Sequence, residues 1–302
     1  MRTVVNDKDI TELVRSLKWS GDLKQIARKV SVSYIYDPDL AAVTIQDGDT
    51  LAVYDDDGKL RFVGIVISVE SSTSDPYVSL DCVNVIWYTG KNKTYKVYKG
   101  TPQDVTKAVC GEFNIQTGVL PELEKQVEVV STGDKTIYQV IAEAYGAEYY
   151  IYASGASLCV ENKGSEVVAV LSTDANAAGI RYKSSIEAMV NRVMILDDKA
   201  ALLGSVQNEQ DFVYGLMQET YKKEDNKDPV EAAKALLKGK EKTSTVSVPF
   251  GDWNCTAGKA VYILDNANNM CGKFLILDDS HTVSGGQHSM ELGVEVMGNG
   301  TI

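Results

Sequence analysis

The chain has 302 residues, 44% of them hydrophobic and 24% charged, with 24 glycines and 6 prolines; this composition excludes a mostly disordered chain and sets an expectation of roughly two domains. Thirty basic residues against 42 acidic ones leave a net charge of −12, the wrong sign for gripping nucleic acid through released counterions. The stretch Met1–Asp9 turns charged at once, without the apolar run of a secretory signal, and Phe62 to Ile67, the longest nearly apolar run, is far short of the ~20 residues of a spanning helix.

In chain order, the first hundred residues alternate with a period near two. Leu51 and Val53 lead to Asp55-Asp56-Asp57-Gly58, and Leu60, Phe62, Ile65, Ile67 and Val69 follow; an Asp-Gly turn between alternating runs predicts a hairpin. Tyr77 to Tyr88 carries Val78, Leu80 and Cys82 on one face and Val83, Val85 and Trp87 on the other, which predicts a strand buried on both sides or one with a bulge near Cys82-Val83. At Thr101-Pro102-Gln103-Asp104 the period changes, and a capped helix is expected to about Gly111. Ile137, Val140, Ile141 and Ala144 then form a helical stripe, with Asp134 as the expected cap and Gly146 as the stop. A hairpin follows, Glu148–Tyr152 and Leu158–Val160 around Ser154-Gly155-Ala156.

Beyond residue 180, strands are expected at Ile186–Leu196 and Phe212–Tyr221, and a short helix at Ala232–Leu237 behind the cap Asp228-Pro229-Val230-Glu231. Mixed-charge clusters, Asp225–Asp228 and Lys238–Lys242, bracket that helix and read as solvated ends. Further strands are predicted at Val246–Val248, Ala260–Leu264, Lys273–Leu277 and Met290–Val296. The fold class expected is α+β, mainly β: a small closed or sandwiched β domain at 1–99, an α+β module of two helices and a hairpin at 100–179, and a second β domain with one short helix at 180–302.

Chemistry-bearing motifs are scarce. The chain has two histidines, His281 and His288, flanking Ser284-Gly285-Gly286-Gln287; a hairpin would make them neighbours. They read as hydrogen-bonded structural residues, with a metal site requiring a third ligand from Asp278, Asp279 or Glu291. Cys82, Cys110, Cys159, Cys255 and Cys271 are odd in number and lack C-x-x-C spacing, so buried free thiols of a chain made in a reducing cytoplasm are expected. Gly90–Thr94 lacks the phosphate-loop frame, and Asp55–Gly58 lacks the ligand spacing of a calcium loop. No catalytic, cofactor-binding or metal-binding residue is assigned. Sixteen tyrosines against five phenylalanines favour an interaction protein over an enzyme.

Leu17–Val30 resembles the opening of the XkdQ/YqbQ family of phage-like elements, related to the gpD-type baseplate hubs of contractile tails. Phe62–Val66, Ser185–Val193, Tyr214–Gln218, Ala232–Leu237, Phe250–Asn254, Ala257–Val261, Gly272–Phe274, His281 and Gly285–Leu292 match further family segments in order. The resemblance implies a virion component: a homotrimeric hub whose two small tube-type barrels per copy make a pseudo-six-fold ring. Such a ring would adapt the six-fold tail tube to the three-fold central spike, alongside other baseplate and tape-measure proteins. It implies no enzyme activity, no cofactor, no membrane insertion and no specific nucleic-acid binding. Three copies would carry about −36, enough, if it lined the bore, to keep passing DNA from adhering. The chain ends soon after the last family segment, leaving no room for an appended hydrolase. A tail-associated cell-wall hydrolase and a wall-binding module are the alternatives.

Overall fold

The structure, a computed structural model, describes residues 1–36, 44–224, 228–267 and 270–297. Its contacts divide the chain into two units, residues 1–180 with 245–302, and residues 181–244.

The first unit opens with β1 (Arg2–Val5), β2 (Lys8–Asp9), β3 (Val14–Asp22), β4 (Lys29–Ile35), β5 (Thr50–Tyr54), β6 (Leu60–Ser72) and β7 (Asp75–Asn84). Alternation decides which side chains enter the core: Leu17 and Trp19 from β3, Val30, Val32 and Tyr34 from β4, Leu51 and Val53 from β5. The predicted hairpin is β5–β6. The bulge expected near Cys82 falls on the partner strand, where the register shifts between Val66 and Ser68 of β6. The strand expected to reach Tyr88 stops at Asn84. There the Ile86 amide donates to Asn84 Oδ1 at 3.2 Å and the Thr89 hydroxyl to the Ile86 carbonyl at 2.6 Å, local bonds that turn the chain into α1 (Ile86–Lys91).

Next come β8 (Val97–Gly100), α2 (Pro102–Glu112), β9 (Val127–Val130), α3 (Ile137–Tyr145) and the hairpin of β10 (Tyr149–Ser154) with β11 (Ser157–Asn162). Thr101 and Asp104 cap α2 reciprocally, as their spacing predicts. The cap of α3 is Thr136 in place of Asp134: the Gln139 amide donates to its hydroxyl and Gln139 Oε1 accepts from its amide, while Asp134 accepts from the Thr132 amide. The threonine wins because it stands one residue before the first helical turn. Val105, Val109, Val140, Ile141, Leu158 and Val160 form a second core.

After β12 (Val167–Ser172), the chain runs through β13 (Gly179–Ser185) into the second unit, with β14 (Arg192–Leu196), β15 (Leu202–Gln207), β16 (Gln218–Lys222) and α4 (Pro229–Lys234). Asp228 caps α4 by accepting from the Val230 and Glu231 amides; Asp225, Asn226 and Lys227 lie outside the described residues. The two strands expected here are shorter than their apolar runs, since residues 186–191 turn inward to bury Met189 and Asn191, and Glu209–Tyr214 forms a 3-10 turn.

The chain returns along β17 (Glu241–Val248) to β18 (Ala260–Asp265), β19 (Met270–Ser284) and β20 (Gln287–Val296). β19 pairs with β18, with β20, and with β3 from Asp22–Asp278 to Ser16–Ser284; β12 lies parallel to β18. Mainly antiparallel and curled, the resulting sheet joins the first and last strands of the chain. The contact units divide at 180/181 and again at 244/245, because β19 returns the last strands to the N-terminal ones.

Packing in this sheet is close enough to test. A Cβ on Gly64 would stand 2.2 Å from the Val83 carbonyl oxygen, whereas one on Gly111 in α2 would meet nothing within 4 Å. Gly64→Ala is expected to cost about 3 kcal/mol by overpacking, and Gly111→Ala to add about 0.5–1 kcal/mol by removing unfolded-state freedom. Urea denaturation of both variants measures the contrast.

Candidate functional site

The site begins with an extra residue. Ile276 faces Val294 and Asp278 faces Gly293, so Leu277 is a one-residue bulge between β19 and β20. Because side chains alternate, a single inserted residue exchanges the two faces. Phe274 and Ile276 point into the core before the bulge, and Asp279 and His281 point into it afterwards, leaving Asp278 outside.

A buried carboxylate requires donors. Arg28 Nη1 and Nη2 each donate to Asp279 at 2.6 Å, and the Ala257 amide donates to Oδ1 at 2.6 Å. The guanidinium lies over Gly21, where a Cβ would stand 2.5 Å from Nη2, and its plane covers the Trp19 ring at 4.2 Å. The bulge, the missing side chain at 21 and the planar fork of arginine together make a desolvated bidentate pair across β3.

Two residues further along β19, His281 is wholly buried. Its Nε2 lies 3.0 Å from the Cys255 carbonyl, which can only accept, so Nε2 carries the hydrogen. Nδ1 then accepts from His288 Nε2 at 3.0 Å. The histidines do meet, as the hairpin turn predicts, but diagonally: His281 is opposite Met290, and His288 opposite Val283. Burial pushes the His281 pKa down to about 4, against the pull of the Asp279 carboxylate, and burial lowers that of His288. The Trp253 ring lies parallel to His281 at 5.9 Å and tilted on His288 at 4.3 Å and Trp19 at 5.2 Å. The connection from β17 to β18 is thereby pinned at Gly251, whose amide donates to the His288 carbonyl, at Trp253, at Cys255 and at Ala257.

Of the candidate third ligands, Asp279 is taken by Arg28, Asp278 is on the opposite face, and Glu291 pairs across from Ser280. No three His, Cys, Asp or Glu side chains among the described residues are placed to hold a metal. Burial pushes the thiols of Cys82, Cys110 and Cys255 up to about 12, so they stay protonated near neutrality and are poor nucleophiles. Asp55 of the predicted turn accepts from the Lys59 amide at 2.8 Å and from Arg61 Nε at 2.6 Å, which ties the hairpin down.

Beside this seam is a cleft of about 340 Å³ walled by Trp19, Arg28, Arg61, Tyr150, Tyr152 and Lys259. Its ionised groups are largely committed: Lys259 bridges Glu161 and Glu166 at 2.7 Å each, and the Tyr150 hydroxyl donates to Glu161 at 2.9 Å. Burial raises the Tyr150 and Tyr152 pKa values, keeping both neutral. The arrangement fastens segments together and offers no free nucleophile beside a base. Arg28 and Asp279 are 251 residues apart, and no local pattern marks them as partners.

The sequence matches the pattern of the YQBQ-like family over residues 17–295, and the chain belongs to that family. No curated protein matches it in sequence. In fold it is similar to a tail protein from Neisseria meningitidis MC58, at 16% identity and a TM-score of 0.72 over 98% of this chain and 95% of that one. The prophage MuSo2 43 kDa tail protein from Shewanella oneidensis gives 12% identity and a TM-score of 0.73 over 97% of each chain. The E. coli c3393 protein, a component of the type VI secretion system, gives 8% identity and 0.63 over 99% of this chain and 78% of that one.

Two outcomes follow from the seam. Asp279→Ala is expected to destabilise the fold by about 3 kcal/mol by leaving the partly buried Arg28 without its carboxylate, read by urea denaturation. The pH dependence has a definite sign: His281 is neutral when folded, while an unfolded histidine titrates near 6.5. Protons bind the unfolded state first, so the stability contribution is complete above pH 6.5 and falls toward pH 4, by up to about 1.4 kcal/mol per pH unit. His288 adds in the same sense. Asp278, raised by burial and by Asp22, Asp279 and Glu291, acts oppositely. The difference between wild type and His281→Gln isolates the histidine, and the variant is expected to show the shallower loss between pH 6.5 and 4.5.

Proposed function

We propose that this member of the YQBQ-like family is a structural component of a contractile phage tail or phage-tail-like particle. In it the chain acts as a homotrimeric baseplate hub, joining the six-fold tail tube to the three-fold spike and contacting neighbouring baseplate proteins. The observation that carries the reading is the likeness of fold to a tail protein across nearly the full length of both chains, 98% of this one and 95% of the other. The chemistry of the buried seam supports it: Arg28, Asp279, His281 and Lys259 are engaged in bonds that hold segments, the arrangement of a part that must resist deformation.

Light scattering of the purified protein, alone and with its spike partner, is expected to give a mass three times that of the chain. A monomer under both conditions would overturn the hub reading. Peptidoglycan embedded in a gel is expected to remain opaque around the protein, and clearing would establish the hydrolase alternative.

A further inference from the structure

The branch of the sheet that ends at β12 leaves a backbone edge open. Among the described strands β12 pairs with β18 alone, so one side of its peptide groups has no strand beside it. An open edge invites a further strand, and proteins ordinarily close it with charge, proline or a bulge. The other two ends of this sheet carry charge: Lys8 and Asp9 in β2, Arg181 and Lys183 in β13. β12, Val-Val-Ala-Val-Leu-Ser, has neither charge nor proline. Its outer face is apolar as well. Val170 lies beside Tyr262 and Ser172 beside Leu264, and Val170, Tyr262 and Leu264 are 54%, 42% and 43% exposed.

Two local devices divide this edge between them. Val168 is the extra residue of a bulge against β18, which breaks the first half. Along the regular second half, the chain folds back after Ser172 and brings Asn176 onto the edge. Asn176 Nδ2 donates to the Val170 carbonyl at 2.9 Å, and its Oδ1 accepts from the Ser172 amide at 2.9 Å. The Ser172 carbonyl accepts from the amides of Ala175, Asn176 and Ala177. A carboxamide holds donor and acceptor side by side, as a peptide group does, and here it stands where a neighbouring strand would. Asn176 is itself exposed. Water would satisfy the same backbone groups, so the bonds add little stability and their effect is to occupy the edge.

The occupied groups are self-complementary. Two copies of β12 related by a two-fold axis at Leu171 run antiparallel, and the Val170 carbonyl of each then accepts from the Ser172 amide of the other. We infer that this edge is a self-pairing surface and that Asn176 keeps it closed, so that copies of the chain do not join through β12. The inference is independent of the homotrimer reading, since it concerns association beyond whatever mass the wild type holds.

Light scattering across a concentration series compares wild type, Asn176→Ala and the double variant Asn176→Ala/Val170→Lys, with circular dichroism checking that each is folded. Both variants lose the same two hydrogen bonds; the second adds a lysine on the exposed face of the edge strand. Because the chain carries −12, one lysine lowers the overall repulsion between copies, so a rescue by it is local to the edge. The expected result is that Asn176→Ala grows beyond the wild-type mass at a protein concentration at least ~10-fold lower than wild type does, and that the added lysine restores wild-type behaviour. An Asn176→Ala protein that keeps the wild-type mass throughout reduces the amide to a bond that steadies a turn and overturns the inference. Association that the lysine leaves unchanged runs through another surface or through unfolding, and overturns it as well.

Discussion

The first unit depends on how a full negative charge is buried at Asp279. Once the bulge at Leu277 turns that carboxylate inward, its desolvation must be offset by donors of matching geometry, and Arg28 supplies two while the Ala257 amide supplies a third. The pair does not need to stabilise the fold relative to an apolar core in order to define it. An alternative register between β3 and β19 would leave the buried Asp279 carboxylate without its guanidinium, so the pair selects the register in which Trp19 faces His281. From that register the rest follows: the rings of Trp19, Trp253 and the two histidines pack against one another, and the β17–β18 connection is pinned on top.

This construction bears on the proposed role. A component that transmits load between a tube and a spike gains from polar groups whose alternatives are costly, since a half-broken buried network is less stable than either a complete one or an apolar core. The tautomers here are set by a carbonyl that can only accept and a histidine neighbour that must donate, which commits both ring nitrogens of His281 to holding the seam. Residues that look catalytic in isolation are thus explained by what they hold. The second unit applies the same device differently, with one buried amide holding a loop whose side chains remain uncovered.

Local chemistry was readable from the sequence wherever the interaction spans a few residues. The Asp55–Gly58 turn, the capping box of Thr101 and Asp104, the stop at Gly146 and the cap at Asp228 all lie where spacing places them. Errors were local too: Thr136 outcompetes Asp134 for the same helix end, and Asn84 bends an apolar run into α1. Both are side-chain bonds to backbone that alternation does not encode. The family resemblance included Ser185–Val193 and Tyr214–Gln218 as separate segments; that Asn191 of the first fastens Gly215 and Met217 of the second is a fact of three dimensions.

By itself, then, the sequence determined the mainly β class, the positions of the hairpins and helix caps, the scarcity of titratable chemistry and the family, because each rests on composition or on contacts within a turn or two. The tertiary structure decided which acid of Asp278 and Asp279 is buried, that Arg28 is its partner, that the last strands share a sheet with the first, and which apolar residues stay uncovered. The physical reason is that a one-residue bulge inverts every later side chain, and pairing over 251 residues is set by sheet register, which no local pattern specifies.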